Sequence, residues 1–213
     1  MRTLIYVPIV HSEADLGSLA CELNSRFKSA FGEEVLNRRR ASIEDMWAGL
    51  ERKLLALPLE WPRTKLYQDG LPVCGKEFEI VRDLACQGSR NYQILLKLME
   101  LGAILTGTED AGLVVKDYRR IQRLIEAASS GEDDRLLDEL RIEGDALLRE
   151  RDAFIANRIE ATLCEGETGM LFIGLLHHVD EILNRGFEVR HLIHSLPFAA
   201  DPWRRLKERT NAV

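Results

Sequence analysis

The sequence predicts an α/β fold built on a largely parallel central sheet of about five strands, flanked by helices. Three observations carry that prediction. Short apolar, β-rich segments recur along the 213 residues. Stretches of helical periodicity separate them. Helical crossovers of that kind oblige successive strands to run parallel, with helices on both faces. The chain is 46% hydrophobic and 30% charged, a globular composition. A chain of this length buries roughly 70% of the surface its unfolded form exposes, so it needs neither disulfide nor metal to hold a core. A single domain over 1–213 is expected.

Each element has its own signal. Leu4 to Val10 is almost uniformly apolar, as in a strand covered on both faces. Leu16, Leu19, Ala20 and Leu23 then fall at helical spacing. A second helix is expected from about Ile43 to Leu57, with Ser42 as N-cap and Pro58 as its stop. Thr64 to Gln68 is a short strand, turned by Asp69-Gly70. Glu77 to Cys86 and Ser89 to Leu101 are helical, and Gly102 closes the second. Ala103 to Thr106 is a strand, and Asp110 to Ala128 a helix. Ser129-Ser130-Gly131 breaks that helix, and a long charged helix follows from about Asp133 to Cys164. Its many apolar positions suit an arm or a homodimer surface. Met170 to Ile173 is the clearest buried strand, Val179 to Asn184 a short helix, and Phe187 to Leu192 the last strand.

Charge and motif content exclude several classes. The net charge is −6, and the basic clusters Arg38-Arg39-Arg40 and Arg204-Arg205 with Lys207 are short and mixed with acids. That disfavours nucleic acid as a partner. The N-terminal apolar run is too short for a membrane span and lacks a signal-peptide cleavage site, so no membrane partner is expected. Four scattered cysteines without CxxC spacing read as reduced, mostly buried thiols of a cytoplasmic protein. Phosphate-binding and dinucleotide glycine patterns are absent, and so is a nucleophile elbow. No nucleotide cofactor is implied.

The polar residues carry the functional signal by position. In a parallel α/β sheet, ligands bind outside the carboxyl ends of the strands. The first strand runs into His11, the second into Asp69, the third into Glu109-Asp110, and the fourth into Gly174-Leu175-Leu176-His177. Two imidazoles with one or two carboxylates can hold Zn²⁺, Mn²⁺ or Fe²⁺ and leave a position open for water, while a free carboxylate serves as general base. The same residues have plainer uses. Asp69 suits a turn, Glu109-Asp110 a helix start, and His11 a cap. Arg151, Asp152 and Arg158 on the long helix are a second constellation. Arginines in an apolar stripe ask for an anionic partner, whether a ligand or a rim acid such as Asp69 or Glu109. Gly88-Ser89-Arg90-Asn91 opens a helix and reads either as an anion site or as ordinary capping by Ser89.

Arg151-Asp152 on a helix, then Met170 to Gly174-Leu175-Leu176-His177 on the next strand, a short helix, Gly186 and a final strand together resemble the C-terminal half of the TraB/Tiki-like superfamily. That group also takes in the erythromycin-esterase-like and ChaN-like proteins. The likeness covers about Arg151 to Leu192 and, loosely, the first strand. It implies a G-x-x-H histidine at His177, a helix arginine at Arg151 and a first-motif histidine at His11. Pro8 stands where the family has glycine, and Asp69 where it more often has glutamate. Two functions follow as expectations. One is a metal-dependent hydrolase of a small ester, amide or peptide substrate. It would use His11, His177, Asp69 and Glu109 for the metal and the base, with Arg151 or Arg158 orienting an anionic group. The other is a non-catalytic module that binds a small anionic ligand, haem or a peptide in the same cleft.

Overall fold

The computed structural model describes residues 1–130 and 134–194, apart from the side chains of Leu16, Ser18 and Ser129. The cluster of Arg204, Arg205 and Lys207, the Gly131 break and Asp133 lie outside the described residues. Five strands form one sheet: β1 (Arg2–Ile9), β2 (Thr64–Gln68), β3 (Ile104–Thr106), β4 (Thr168–Gly174) and β5 (Phe187–His191). Every pairing is parallel and the order is β3-β2-β4-β1-β5. The expected α/β class is therefore the observed one. The helices are α1 (Ala20–Phe31), α2 (Glu33–Leu55), α3 (Glu77–Cys86), α4 (Arg90–Glu100), α5 (Ala111–Ser130), α6 (Asp134–Thr162) and α7 (Val179–Ile182).

The two faces of the sheet carry separate cores. Ile5, Val7 and Ile9 of β1, Leu66 of β2, and Met170 and Phe172 of β4 pack against α2, α3 and α4 through residues such as Trp47, Leu50, Val81 and Leu95. The alternate residues Leu4, Tyr6, Tyr67, Leu171 and Ile173 face Ile155, Ile159 and Leu163 at and beyond the end of α6, and Val179 of α7. Central strands with both faces covered are uniformly apolar for this reason, which is why β1 and β4 are so plain in the sequence.

Two expectations are corrected. The helix expected from Ile43 begins at Glu33, so Ser42 lies inside it and Arg38-Arg39-Arg40 ride on it. The break falls at Gly32, whose φ of 87° is a conformation that suits glycine. The cysteines are not buried: Cys21, Cys74, Cys86 and Cys164 are all exposed, because each lies at a helix end, in a loop or on an outer helical face. Of the apolar positions of α6, Leu140, Leu147, Ile155 and Ile159 are buried within the chain. Ser89 does cap α4, accepting from the Tyr92 amide.

Candidate functional site

The strand order makes a crevice at one rim. The chain leaves β2 towards β3 on one side, whereas it leaves β4 towards β5 on the other. Neighbouring strands whose connections diverge leave a gap at their carboxyl ends, where ligands bind in such sheets. Asp69 follows β2 and Gly174 ends β4, so both stand at this gap. The Asp69 amide donates to Phe172 O at 2.9 Å, and its Oδ2 accepts from the Gly174 amide at 3.0 Å.

Two histidines converge on that carboxylate. His11 Nε2, at the end of β1, lies 3.3 Å from Asp69 Oδ2, and His177 Nε2 lies 3.5 Å from the same atom. His177 is held from behind. Its Nδ1 donates to the buried Asp152 of α6, whose other oxygen accepts from the His178 amide at 2.9 Å. The hydroxyl of Tyr6 donates to the His177 carbonyl at 3.2 Å. Gly174 leaves room for the trio. A Cβ there would sit 3.0 Å from Asp69 Oδ2, 3.6 Å from the His177 ring and 3.7 Å from His11 Nε2.

Arg151 ties the acids together. Its Nε donates to Glu109 Oε2 at 2.6 Å, and its terminal nitrogens donate to Glu109 Oε1 at 2.6 Å, Asp69 Oδ1 at 2.7 Å and Asp117 Oδ2 at 3.1 Å. Glu109 also accepts from the Gly70 amide at 2.7 Å and is wholly buried. Both of its oxygens are committed and it does not line the cleft, so in this arrangement it holds Arg151 and the turn after β2. Arg158 stands apart, donating to the Gly107 carbonyl at 3.0 Å. The structure thus brings His11, Asp69, Glu109, Arg151 and His177 together and leaves Arg158 to brace the loop after β3.

The charges follow from burial and partners. Burial opposes the charged form of His177, but Asp152 and Asp69 outweigh it and its pKa is pushed up to about 9. Burial also opposes a charge on His11, and Asp69 again prevails, raising it above the ordinary value. Asp69 moves the other way. Burial would raise it, yet both histidines hold its carboxyl well below the usual range. At Glu109 burial is the strongest influence; Arg151 pulls the carboxyl down, Asp69 pushes it up, and the net is a raised value.

The trio forms the floor of an open cleft of about 800 Å³, whose walls include Leu19, Leu23, Tyr92, Val114, Asp117, Arg120, Ile121 and Leu148. Asp117 was not legible as a site residue. It stands three residues before Arg120, which it binds at 2.8 Å, and so looks like an ordinary surface pair of a charged helix.

Neighbouring ligands about 2.0–2.1 Å from a tetrahedral ion stand about 3.3–3.4 Å apart, close to the spacings of the two Nε2 atoms from Asp69 Oδ2. The Asp152–His177 contact is the outer support that metal-binding imidazoles carry. Among the described residues no group of three or more His, Cys, Asp or Glu forms a ready metal site. A bound ion would therefore have to replace the direct contacts between the histidines and Asp69. The chemistry fits, in an arrangement closed upon itself.

No family model matches this chain, and no curated protein or solved structure matches it either. No helix among the described residues is long and apolar enough to cross a membrane.

Proposed function

We propose that the chain is a metal-dependent hydrolase of a small ester, amide or peptide substrate, with His11, His177 and Asp69 as the metal ligands. The observation that carries the proposal is the convergence of two imidazole Nε2 atoms on one buried carboxylate oxygen at the floor of an open cleft. A divalent ion supplies a Lewis acid and lowers the pKa of bound water towards about 7.

The protein's own part is to fix the ligands. Asp152 sets the ring orientation of His177 by accepting a hydrogen bond from Nδ1–H, which leaves Nε2 directed at Asp69. Arg151 holds Asp69 in place while the two histidines keep it ionised, and Glu109 in turn holds Arg151. Gly174 keeps the backbone close without a side chain to fill the centre. His11, with about a third of its side chain exposed, is the trio member most open to an incoming molecule. The likeness to TraB/Tiki-like proteins at Arg151-Asp152 and Gly174 to His177 supports the same reading.

The test is a panel of ester, amide and peptide substrates assayed with added Mn²⁺, Fe²⁺ or Zn²⁺. A rate that needs one of these ions and is lost in both His11→Ala and His177→Ala is expected. Turnover that survives both substitutions, or no turnover with any ion, would contradict the proposal.

A further inference from the structure

The buried residues Phe27 of α1, Ile125 of α5, and Leu140 and Leu147 of α6 belong to neither core cluster. Between these helices lies a second cavity of about 470 Å³, walled by Leu23, Phe27, Phe31, Leu124, Ile125 and Leu137. Leu23, Arg39 and Arg141 line this chamber and the cleft alike, so the two adjoin across those side chains. This half-open, largely apolar space of about 470 Å³ falls within the roughly 300–1,000 Å³ of small-molecule sites.

The walls also give the space a direction. Leu19 lines the cleft, Leu23 both spaces, and Phe27 and Phe31 the chamber. They recur every fourth residue, so they form one stripe along a helical face. At 1.5 Å per residue the stripe runs about 18 Å, room for an extended chain of roughly a dozen carbons. On α5 the order repeats, with Val114 and Ile121 in the cleft and Leu124, Ile125 and Ala128 in the chamber. At the mouth beside His177, Leu176 is 75% exposed, an apolar side chain offered to whatever enters. Three arginines also line the chamber: Arg39 and Arg141 at the junction, and Arg26, whose guanidinium donates to Glu22 at 3.2 Å and to the Ile125 carbonyl. Arg141 is paired with Asp138 at 2.7 Å.

We infer that the substrate is a linear amphipathic ester or amide whose acyl tail lies in this chamber while its carbonyl stays at the His11–Asp69–His177 rim. This rests on the hydrolase proposal for the position of the carbonyl, and on the chamber alone for the tail.

Two readouts separate these parts. The first is calorimetric binding of decanoate and of butyrate to the chelator-treated full chain, which needs no turnover. Each buried methylene contributes about fourfold in affinity, so decanoate is expected to bind at least about 100-fold more tightly than butyrate. Leu124→Trp, which fills the chamber, and Leu137→Asp, which makes it polar, should each remove most of that difference while the thermal melt confirms a folded chain. The second readout is kcat/KM for p-nitrophenyl esters from acetate to decanoate with added metal. It should rise with chain length in the wild type, and the long-to-short ratio should collapse in both variants. Decanoate binding without turnover of any ester would support the chamber and overturn the hydrolase proposal. Turnover that is indifferent to chain length, with no decanoate binding, would overturn the chamber and leave the hydrolase standing. Decanoate binding equal in the wild type and both folded variants would place the ligand elsewhere and overturn the inference. So would a chamber already filled by the chain's own residues or a second copy, seen as no response to decanoate.

Discussion

Replacing Arg151 by methionine keeps most of the side chain's bulk and removes a cation that makes four hydrogen bonds to Glu109, Asp69 and Asp117. The side chains of these acids are 0%, 6% and 16% exposed. Water therefore replaces the lost partner poorly. Removing one member of a buried ion pair typically costs about 3–5 kcal/mol, mostly through the charge left behind, and the Arg151→Met variant is expected in that range at pH 7. The loss should shrink in acid. Glu109 is already raised by burial and by Asp69, and without Arg151 it rises further. A carboxyl raised by folding binds its proton more readily in the folded state, so falling pH favours that state through the interval between the raised and ordinary values. Asp69 adds nothing to the difference between pH 7 and pH 4.5, because its depressed pKa stabilises the fold at every pH above the ordinary carboxylate value and that contribution is lost only as pH falls below it towards the depressed value. Urea unfolding of both proteins at pH 7 and pH 4.5 measures the difference. A loss below about 1 kcal/mol at pH 7, or one equal at both pH values, would refute the reasoning.

Asp152→Asn should lower the His177 pKa from about 9 towards its ordinary value, because it removes the carboxylate that favours the imidazolium; a histidine NMR titration of chelator-treated protein reads this directly. Gly174→Ala would bring a methyl group to 3.0 Å from Asp69 Oδ2. It should lower metal affinity about tenfold or more, the scale of damage to a metal's outer support, with only a modest drop in melting temperature; metal titration beside a thermal melt checks both. Leu66→Ala, in the middle of the sheet and wholly buried, should cost about 2–5 kcal/mol without changing metal content per folded molecule, as urea unfolding and elemental analysis will show.

The strands were legible because burial on both faces leaves an unbroken apolar run, as at Leu4 to Val10 and Met170 to Ile173. The start of α2 was not. Its first turns carry Arg38, Arg39 and Arg40 with few apolar residues, so periodicity emerges only near Ile43. The exposure of the cysteines was hidden too, since a small thiol leaves no periodic mark that separates an outer helical face from a core. At the site, His11, Asp69 and His177 were found from their places after strands, and parallel pairing brings them to one rim. Their division of labour was not legible. That Glu109 is consumed by Arg151 and the Gly70 amide depends on loop contacts between β2 and β3. The link between Asp152 and His177 spans 25 positions and depends on where α6 crosses the sheet.

Elemental analysis of the purified wild type beside His177→Ala, each melted before and after adding Mn²⁺, Fe²⁺ or Zn²⁺, tests the metal-centred reading most directly. The account predicts about one equivalent of one of these metals in the wild type alone, with melting stabilised by that metal and little response in the variant. A folded wild type that neither retains metal nor responds to it, or a variant that binds as well, would contradict the account.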